Sequence, residues 1–490
     1  MVCKGNAVWP SVEESKPVGS LTSIHKISMY IDFIDRGKEG KVSNFAHIPT
    51  RQRRLRIESI ALPHKVKKTF LTLYDKWILC SGETWTVGRL KYFKEELILE
   101  YSGGKPLYSW FKKTRSGSLL GIFGSLRAAA LNGHLRQVID LLQVYSEVKK
   151  PIRDSNDAKE IRLSIESSPV DRSTWRELIH RSKAMMRNSD LFPSLNLKWP
   201  VPILQNRLKP SHFERLVIDL SNLPDFQEIG SRFDLNHLLF RGVGAKFKLP
   251  LSPFISNDEW QVGSVQVTPN PGLKTRYYAV PNVVVQRCLD PLKQGLREVL
   301  EKIPWDCTFD QKRADERILA RLRSGRKVHS VDMSKATDHF PWFWQKHILG
   351  HLRRGRQNMP TLAQTELFTK AVEEGKWACN LSKSDCSDYQ VTWTKGQPLG
   401  LGPSFFLFSL SHGIFLWTLA RTWEGKFFVL GDDVVILDDD LYENYKHYLE
   451  LAQVPISESK SYSSSKYATF AGKSYTTQGC WHNPKWEPIS

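Results

Sequence analysis

Apolar positions in the C-terminal half fall into short runs that predict strands and one buried helix. "FFVL" (427–430) and "VVIL" (434–437) are β-branched and aromatic and flank Gly431, Asp432 and Asp433. They predict a hairpin whose strands lie in a core rather than at a sheet margin. In "RKVHSVDMSKATDHFP" the positions of Val328 and Val331 predict a short strand that releases Asp332 at its C-terminal end, with Asp338 in the following turn. The run "FFLFSLSHGIFLWTLA" (405–420) is short for a bilayer helix and carries Ser409, Ser411 and His412, so it reads as a buried helix and no membrane span is expected. Thr174 and Glu177 form a capping box ahead of a helix that continues to about Arg187. From there to Pro269 the chain is proline-rich with short apolar runs, and "YSGGKP" and "KKTRSGS" read as linkers. There is no internal repeat.

Composition narrows the class. A chain of 490 residues with 41% hydrophobic content can bury two or three domain-sized cores or one multi-lobed enzyme. Its net charge of +19 points to a polyanionic partner, nucleic acid first. The cluster "RQRRLR" (51–56) reads as a solvated face first, with a nucleic-acid contact or a localisation signal as alternatives. Seven cysteines with no CxxC pair suggest neither a disulfide framework nor a zinc site, which fits a reducing compartment. The first residues, "MVCKGNAVWPSVEESK", lack the apolar segment of a secretory signal.

Gly-Asp-Asp is ordinary turn chemistry when it stands alone. Adjacent carboxylates held on a rigid hairpin repel and resist ionising unless a cation lies between them, so a divalent-metal site with Asp332 as the third carboxylate is the functional reading. Upstream, Lys274 and Arg276 are two apart and share one strand face, where they can hold a triphosphate. A glycine-rich loop with Gly396, Gly400 and Gly402 runs into the buried helix. After the hairpin come Lys460 in a serine-rich loop and the stretch Phe470, Ala471, Gly472, Lys473, where phosphate can be handled as well.

Basic strand, aspartate strand, glycine loop with helix, Gly-Asp-Asp hairpin, then a lysine loop: this order resembles motifs F, A, B, C, D and E of viral RNA-dependent RNA polymerases. The wording of "SVDMSKATDHFP", "GQPLGLGPS", "VLGDDVVI", "DCTFDQ" and "FAGK" resembles the narna-like, mitovirus-like and ourmia-like branch, the ourmia-like (botourmiavirus) group most. The resemblance implies an α+β right-hand polymerase: a palm of split β-α-β type with an antiparallel sheet, and largely helical fingers. It assigns 1–120 to a basic N-terminal extension or fingers, 121–325 to fingers with the basic strand at about 270–290, 326–474 to the palm, and 475–490 to a remnant of a short or missing thumb. That remnant leaves a palm face uncovered and suggests a separate thumb-bearing chain.

The chemistry implied is two-metal nucleotidyl transfer with two Mg²⁺ ions, or Mn²⁺ as a substitute, about 3.5–4 Å apart on Asp332 and Asp432 with Asp433 nearby. By the same resemblance Lys274 and Arg276 steady the triphosphate and Lys460 donates a proton to the leaving pyrophosphate. Gly396, Gln397 and Gly400 belong to the nucleotide-binding loop, and Asp338 with Ser404 reads the ribose 2′-hydroxyl. Partners are RNA template and product and ribonucleoside triphosphates, in the host cytoplasm or, as in some relatives, the mitochondrion. Many such polymerases carry an asparagine where this chain has Phe408, which bears on the sugar-reading network. Two alternatives stand beside this reading: a reverse transcriptase, which usually has an aromatic residue where Gly431 stands, and a non-catalytic basic RNA-binding protein.

Overall fold

A computed structural model describes residues 50–149, 155–198, 261–353, 358–379, 389–483 and 486. The N-terminal "MVCKGNAVWPSVEESK" and most of the proline-rich stretch before Pro269 lie outside the described residues. Five helices open the described chain: α1 (Thr50–Ser59), α2 (His64–Ser81), α3 (Glu83–Tyr101), α4 (Gly121–Ala129) and α5 (Leu135–Leu142). Phe70, Leu90, Phe93, Leu97, Leu126 and Leu142 bury their apolar stripes in one cluster that runs from Ile57 to Val148.

The two stretches read as linkers are largely exposed turns and coil, and what packs onto the bundle is the segment between them, where Tyr108 is 5% exposed and its hydroxyl donates to Glu100. The arginine cluster is more than a solvated face. Arg53 bridges Asp75 and Glu147 at 2.9 Å, and the Arg56 guanidinium lies 4.5 Å over the Trp486 ring.

Next come α6 (Ser155–Ile165) and α7 (Arg176–Arg187). The expected helix ends at Arg187 as read, but its start differs. Asp171, not Thr174, supplies the cap by accepting from the Ser173 N–H at 2.8 Å, and a 3₁₀ turn (Arg172–Trp175) precedes α7. Glu177 pairs instead with Arg181 one turn on.

Three sheets follow. β1 (Gln261–Asn270) and β2 (Lys274–Pro281) form an antiparallel hairpin in a sheet of order β2-β1-β4-β5, with β4 (Lys376–Cys379) and β5 (Tyr389–Val391). Between them lie α8 (Val283–Glu301), α9 (Asp315–Arg323), β3 (Val328–Asp332), the short α10 (Ala336–His339), α11 (Trp342–Leu352) and α12 (Met359–Glu373). α13 (Ser404–Ala420) is the expected buried helix, with twelve of its residues, including Ser409, Ser411 and His412, enclosed. The second sheet, of order β6-β7-β3-β8, is antiparallel throughout and is built from β6 (Phe427–Leu430), β7 (Asp433–Ile436), β3 and β8 (Tyr462–Ser464). Its residues Phe427, Val429, Val434 and Ile436 are buried in the main core with α13 and α14 (Asp439–Leu451), which is why these runs are apolar without alternation. β9 (Tyr467–Phe470), β10 (Lys473–Thr476) and β11 (Gly479–His482) form the third sheet.

Tyr467 on β9 and Trp486 are buried in the cluster of the N-terminal helices, and the Trp486 indole donates to the Asp140 carbonyl at 3.0 Å.

Candidate active site

The β6–β7 hairpin closes on the pair Leu430 and Asp433, leaving Gly431 and Asp432 as its loop. Gly431 has φ +60°, and a Cβ there would stand 3.0 Å from the Phe405 ring, so glycine meets both the backbone and the space requirement. The tip is held from behind by α13. The Gly431 N–H donates to Ser409 Oγ at 3.1 Å, and that hydroxyl donates to Asp306 Oδ2 at 2.7 Å. His412 donates from Nδ1 to the Gly431 carbonyl at 2.8 Å. Burial pushes His412 down to about 4, so the ring is neutral, and its Nε2 accepts from the Tyr445 hydroxyl at 2.7 Å. Asp306 reaches Ser409 because its segment runs beside β6, with the Cys307 N–H donating to the Val429 carbonyl at 2.8 Å.

Register places Asp332 on β3 directly opposite Asp433 on β7, with Asp432 at the adjoining tip. Lys460 donates from Nζ to Asp332 Oδ2 at 2.8 Å. Burial, then Asp432 and Asp332 beside it, raises the Asp433 carboxyl to about 7. Asp432 is raised as well, first by loss of water and then by Asp332, while Arg276 and Lys460 favour its charged form. Lys274 lines the same cavity as Asp332, Asp433 and Lys460, and Arg276 shares its face of β2.

The remaining predicted residues form a separate knot. Asp338 is 3% exposed and accepts from Ser164 Oγ at 2.8 Å, Trp393 Nε1 at 2.9 Å and the Tyr277 hydroxyl. Gln397 donates from Nε2 to the side chain of Gln345 and to the Ser404 carbonyl, and its N–H donates to the Thr337 carbonyl at 2.8 Å. The Ser404 hydroxyl donates to the Pro398 carbonyl at 2.8 Å. Gly396 and Gly400 are where backbone meets backbone. A Cβ at Gly396 would stand 2.0 Å from the Thr337 oxygen, and one at Gly400, whose φ is +132°, 1.9 Å from the Ala279 oxygen. In the "FAGK" turn, Lys473 is committed to Asp315 at 2.7 Å. Asp306 was legible only as motif wording, and Ser409, His412 and Tyr445 were missed as supports. Ser409 and His412, three apart among the few polar residues of a mostly apolar helix, were the signal.

A family model described as mitovirus RNA-dependent RNA polymerase matches residues 155–480, about two-thirds of the chain. The chain belongs to that family. Among relatives, the RNA-directed RNA polymerase of Cryphonectria parasitica mitovirus 1 is 27% identical over 219 residues, which take in 43% of this chain and 25% of that polymerase. The chain thus spans about a quarter of that relative. An uncharacterized mitochondrial protein of Arabidopsis thaliana is 33% identical over 173 residues, covering 33% of this chain and 64% of that protein. Among solved structures, the RNA-dependent RNA polymerase of a human picobirnavirus aligns at TM-score 0.46 and 15% identity over 72% of this chain and 68% of that one.

In this mitovirus polymerase family member, all three carboxylates, Lys274 and Lys460 fall inside the matched segment, whereas α1 to α5 lie outside it. The donor set suits hard divalent cations, being three carboxylates with two directly opposed across strands. Among the described residues no three carboxylate, histidine or cysteine groups are drawn together as a metal cage. Lys460 instead supplies the positive charge at Asp332.

Proposed function

We propose that this chain carries out template-directed RNA synthesis by two-metal nucleotidyl transfer. The observation that carries the reading is the cross-strand pair of Asp332 and Asp433 beside Asp432, with an ammonium already bound to Asp332. Asp332, Asp432 and Asp433 would hold two Mg²⁺ ions, or Mn²⁺, which activate the primer 3′-hydroxyl and neutralise the departing pyrophosphate. The carboxylates ionise together only with compensating positive charge, which explains why the pair is tolerated at the tip. Release from Asp332 would free Lys460 to donate a proton to the leaving group. Lys274 and Arg276 hold and orient the triphosphate from their shared strand face.

Asp338 accepts three hydrogen bonds, which leaves one of its roughly four acceptor positions for a ribose 2′-hydroxyl. The Ser404 hydroxyl spends its hydrogen on Pro398 and keeps acceptor capacity for the same group. In the right-hand arrangement, the antiparallel sheet of β3, β6, β7 and β8 serves as palm and the β1–β2 hairpin as part of the fingers. A separate thumb-bearing chain stays part of the reading, beside the N-terminal helices that cover β9 and Trp486. An ourmia-like affinity within the branch rests on motif wording. Synthesis in the mitochondrion or host cytoplasm fits the named relatives. Among the described residues no helix is long and apolar enough to cross a membrane. The test is extension of an RNA primer on an RNA template with four ribonucleoside triphosphates and Mg²⁺ or Mn²⁺, and loss of product in EDTA. Absence of product in either metal refutes the reading.

A further inference from the structure

A cavity of about 580 Å³ opens beside Asp332 and Asp433, a volume inside the ~300–1,000 Å³ span of small-molecule sites. Two of its lining residues, Lys91 and Lys94, come from α3, outside the family-matched segment. They face the cavity together with Lys274 and Lys460, and Glu95 offsets one of these charges. Among the described residues Lys91, Lys94 and Lys274 take part in no ion pair. Lys94 donates to the Tyr145 hydroxyl at 2.6 Å and Lys91 to the Gly272 carbonyl, both neutral, while Glu95 acts on this pair and Asp332 on Lys274 only through space. The Lys91 and Lys94 ammoniums also lie over the Tyr145 ring, at 5.6 Å and 5.1 Å respectively.

The bundle fixes the far side of the cavity as well. The N–H groups of Gly272 and Leu273, in the turn that leads into Lys274, both donate to the Val148 carbonyl. Ammonium groups held half-buried without a directly bonded carboxylate cost free energy until an anion joins them. Burial and the neighbouring ammoniums push Lys91 down to about 8, and burial pushes Lys94 down to about 8.

We propose that Lys91 and Lys94 join Lys274 and Lys460 as a wall of ammonium groups that takes the triphosphate of the incoming ribonucleotide. The inference rests on the polymerase reading for the identity of that ligand. Lysines bind phosphate as point charges, and a cluster that keeps excess positive charge beside Glu95 and Asp332 suits the several negative charges of a triphosphate better than the single charge of one backbone phosphate. The catalytic site is then completed by a helix that the family match does not reach.

The test uses the full chain and inorganic tripolyphosphate, titrated by calorimetry without divalent metal, so it does not depend on synthesis. The paired change Lys91→Gln with Lys94→Gln should weaken tripolyphosphate binding about tenfold or more, the usual worth of a charge-assisted hydrogen bond. A charge-matched control, Lys65→Gln with Lys68→Gln on the exposed face of α2, should leave it within about twofold. With a working extension assay, the KM for ribonucleotides should rise by a similar factor while filter-binding affinity for RNA holds. Unchanged tripolyphosphate affinity in the Lys91/Lys94 variant overturns the proposal, as does failure of the unmodified chain to bind it. Weakened RNA binding with unchanged tripolyphosphate affinity overturns it too, by assigning the lysines to the RNA backbone. Should the double variant not fold, tripolyphosphate must protect Lys91 and Lys94 of the unmodified chain from acetylation, and equal labelling with and without it overturns the proposal. Predicted binding without any RNA synthesis would leave the pocket standing and remove the polymerase reading.

Discussion

His412 shows how one buried side chain fixes a catalytic turn. The Gly431 carbonyl can only accept, so the ring carries a proton on Nδ1, and burial, which pushes the ring down to about 4, keeps it neutral at neutral pH with Nε2 free to accept from Tyr445. The folded-state value lies below the ordinary 6.5, so the stability this group contributes is full above pH 6.5 and is lost as pH falls towards 4. The gap corresponds to about 3 kcal/mol. Chemical denaturation at pH 7 and pH 5 should show this slope, and His412→Phe should flatten it while lowering stability at pH 7 through the unpaired Gly431 carbonyl and Tyr445 hydroxyl. An unchanged slope in the variant would remove the assignment. Asp433 works in the opposite direction. Its carboxyl is raised to about 7, so its ionisation destabilises the metal-free fold as pH rises from about 4 through 7. Asp433→Asn should therefore stabilise the metal-free chain at pH 8, on the order of 1 kcal/mol after allowance for its partial exposure, and the gain should shrink at pH 5, as thermal melts would register. For sugar choice, Asp338→Ala should weaken a preference for ribonucleotides over deoxyribonucleotides by about 1–3 kcal/mol, read as a ratio of kcat/KM values. Equal use of both sugars by the unmodified chain would instead favour the reverse-transcriptase alternative.

At the scale of elements, what could be read in advance was what neighbouring residues dictate. The hairpin strands, the strand ending at Asp332 and the buried helix over 404–420 follow from runs of residue type, and all three form. Contacts between distant segments could not be read this way. Ser409 meets Asp306 across 103 positions and Lys91 meets Gly272 across 181, and no local pattern announces either. Competition between near-equivalent caps also escaped the pattern, since Asp171 lies three residues before Thr174 and its carboxylate reaches the Ser173 N–H first. The glycine loop is a tight spacer against β2, with the Leu399 carbonyl accepting from the Ala279 N–H at 2.7 Å. Gly400→Ala should drive a methyl into the Ala279 carbonyl and cost at least about 2 kcal/mol of stability in thermal or urea unfolding. A neutral result would show that the loop shifts freely.

For the whole molecule, the N-terminal helices, the C-terminal strands and the β1–β2 turn are one packed unit around the carboxylates. Trp486 ties them, buried under Arg56 and bonded to Asp140 and Ser146. Trp486→Ala should cost about 3–5 kcal/mol and raise hydrogen exchange in α3, the helix that carries Lys91 and Lys94. The excess of positive charge should make RNA affinity fall steeply with salt whether or not the site is intact, because that affinity rests on many phosphate contacts. This separates binding from chemistry and makes the central claim testable in one comparison: primer extension and RNA binding of Asp332→Asn and Asp432→Asn beside the unmodified chain. The account predicts extension lower by several orders of magnitude in both variants with RNA affinity largely unchanged. Either variant extending a primer at near the unmodified rate would contradict it.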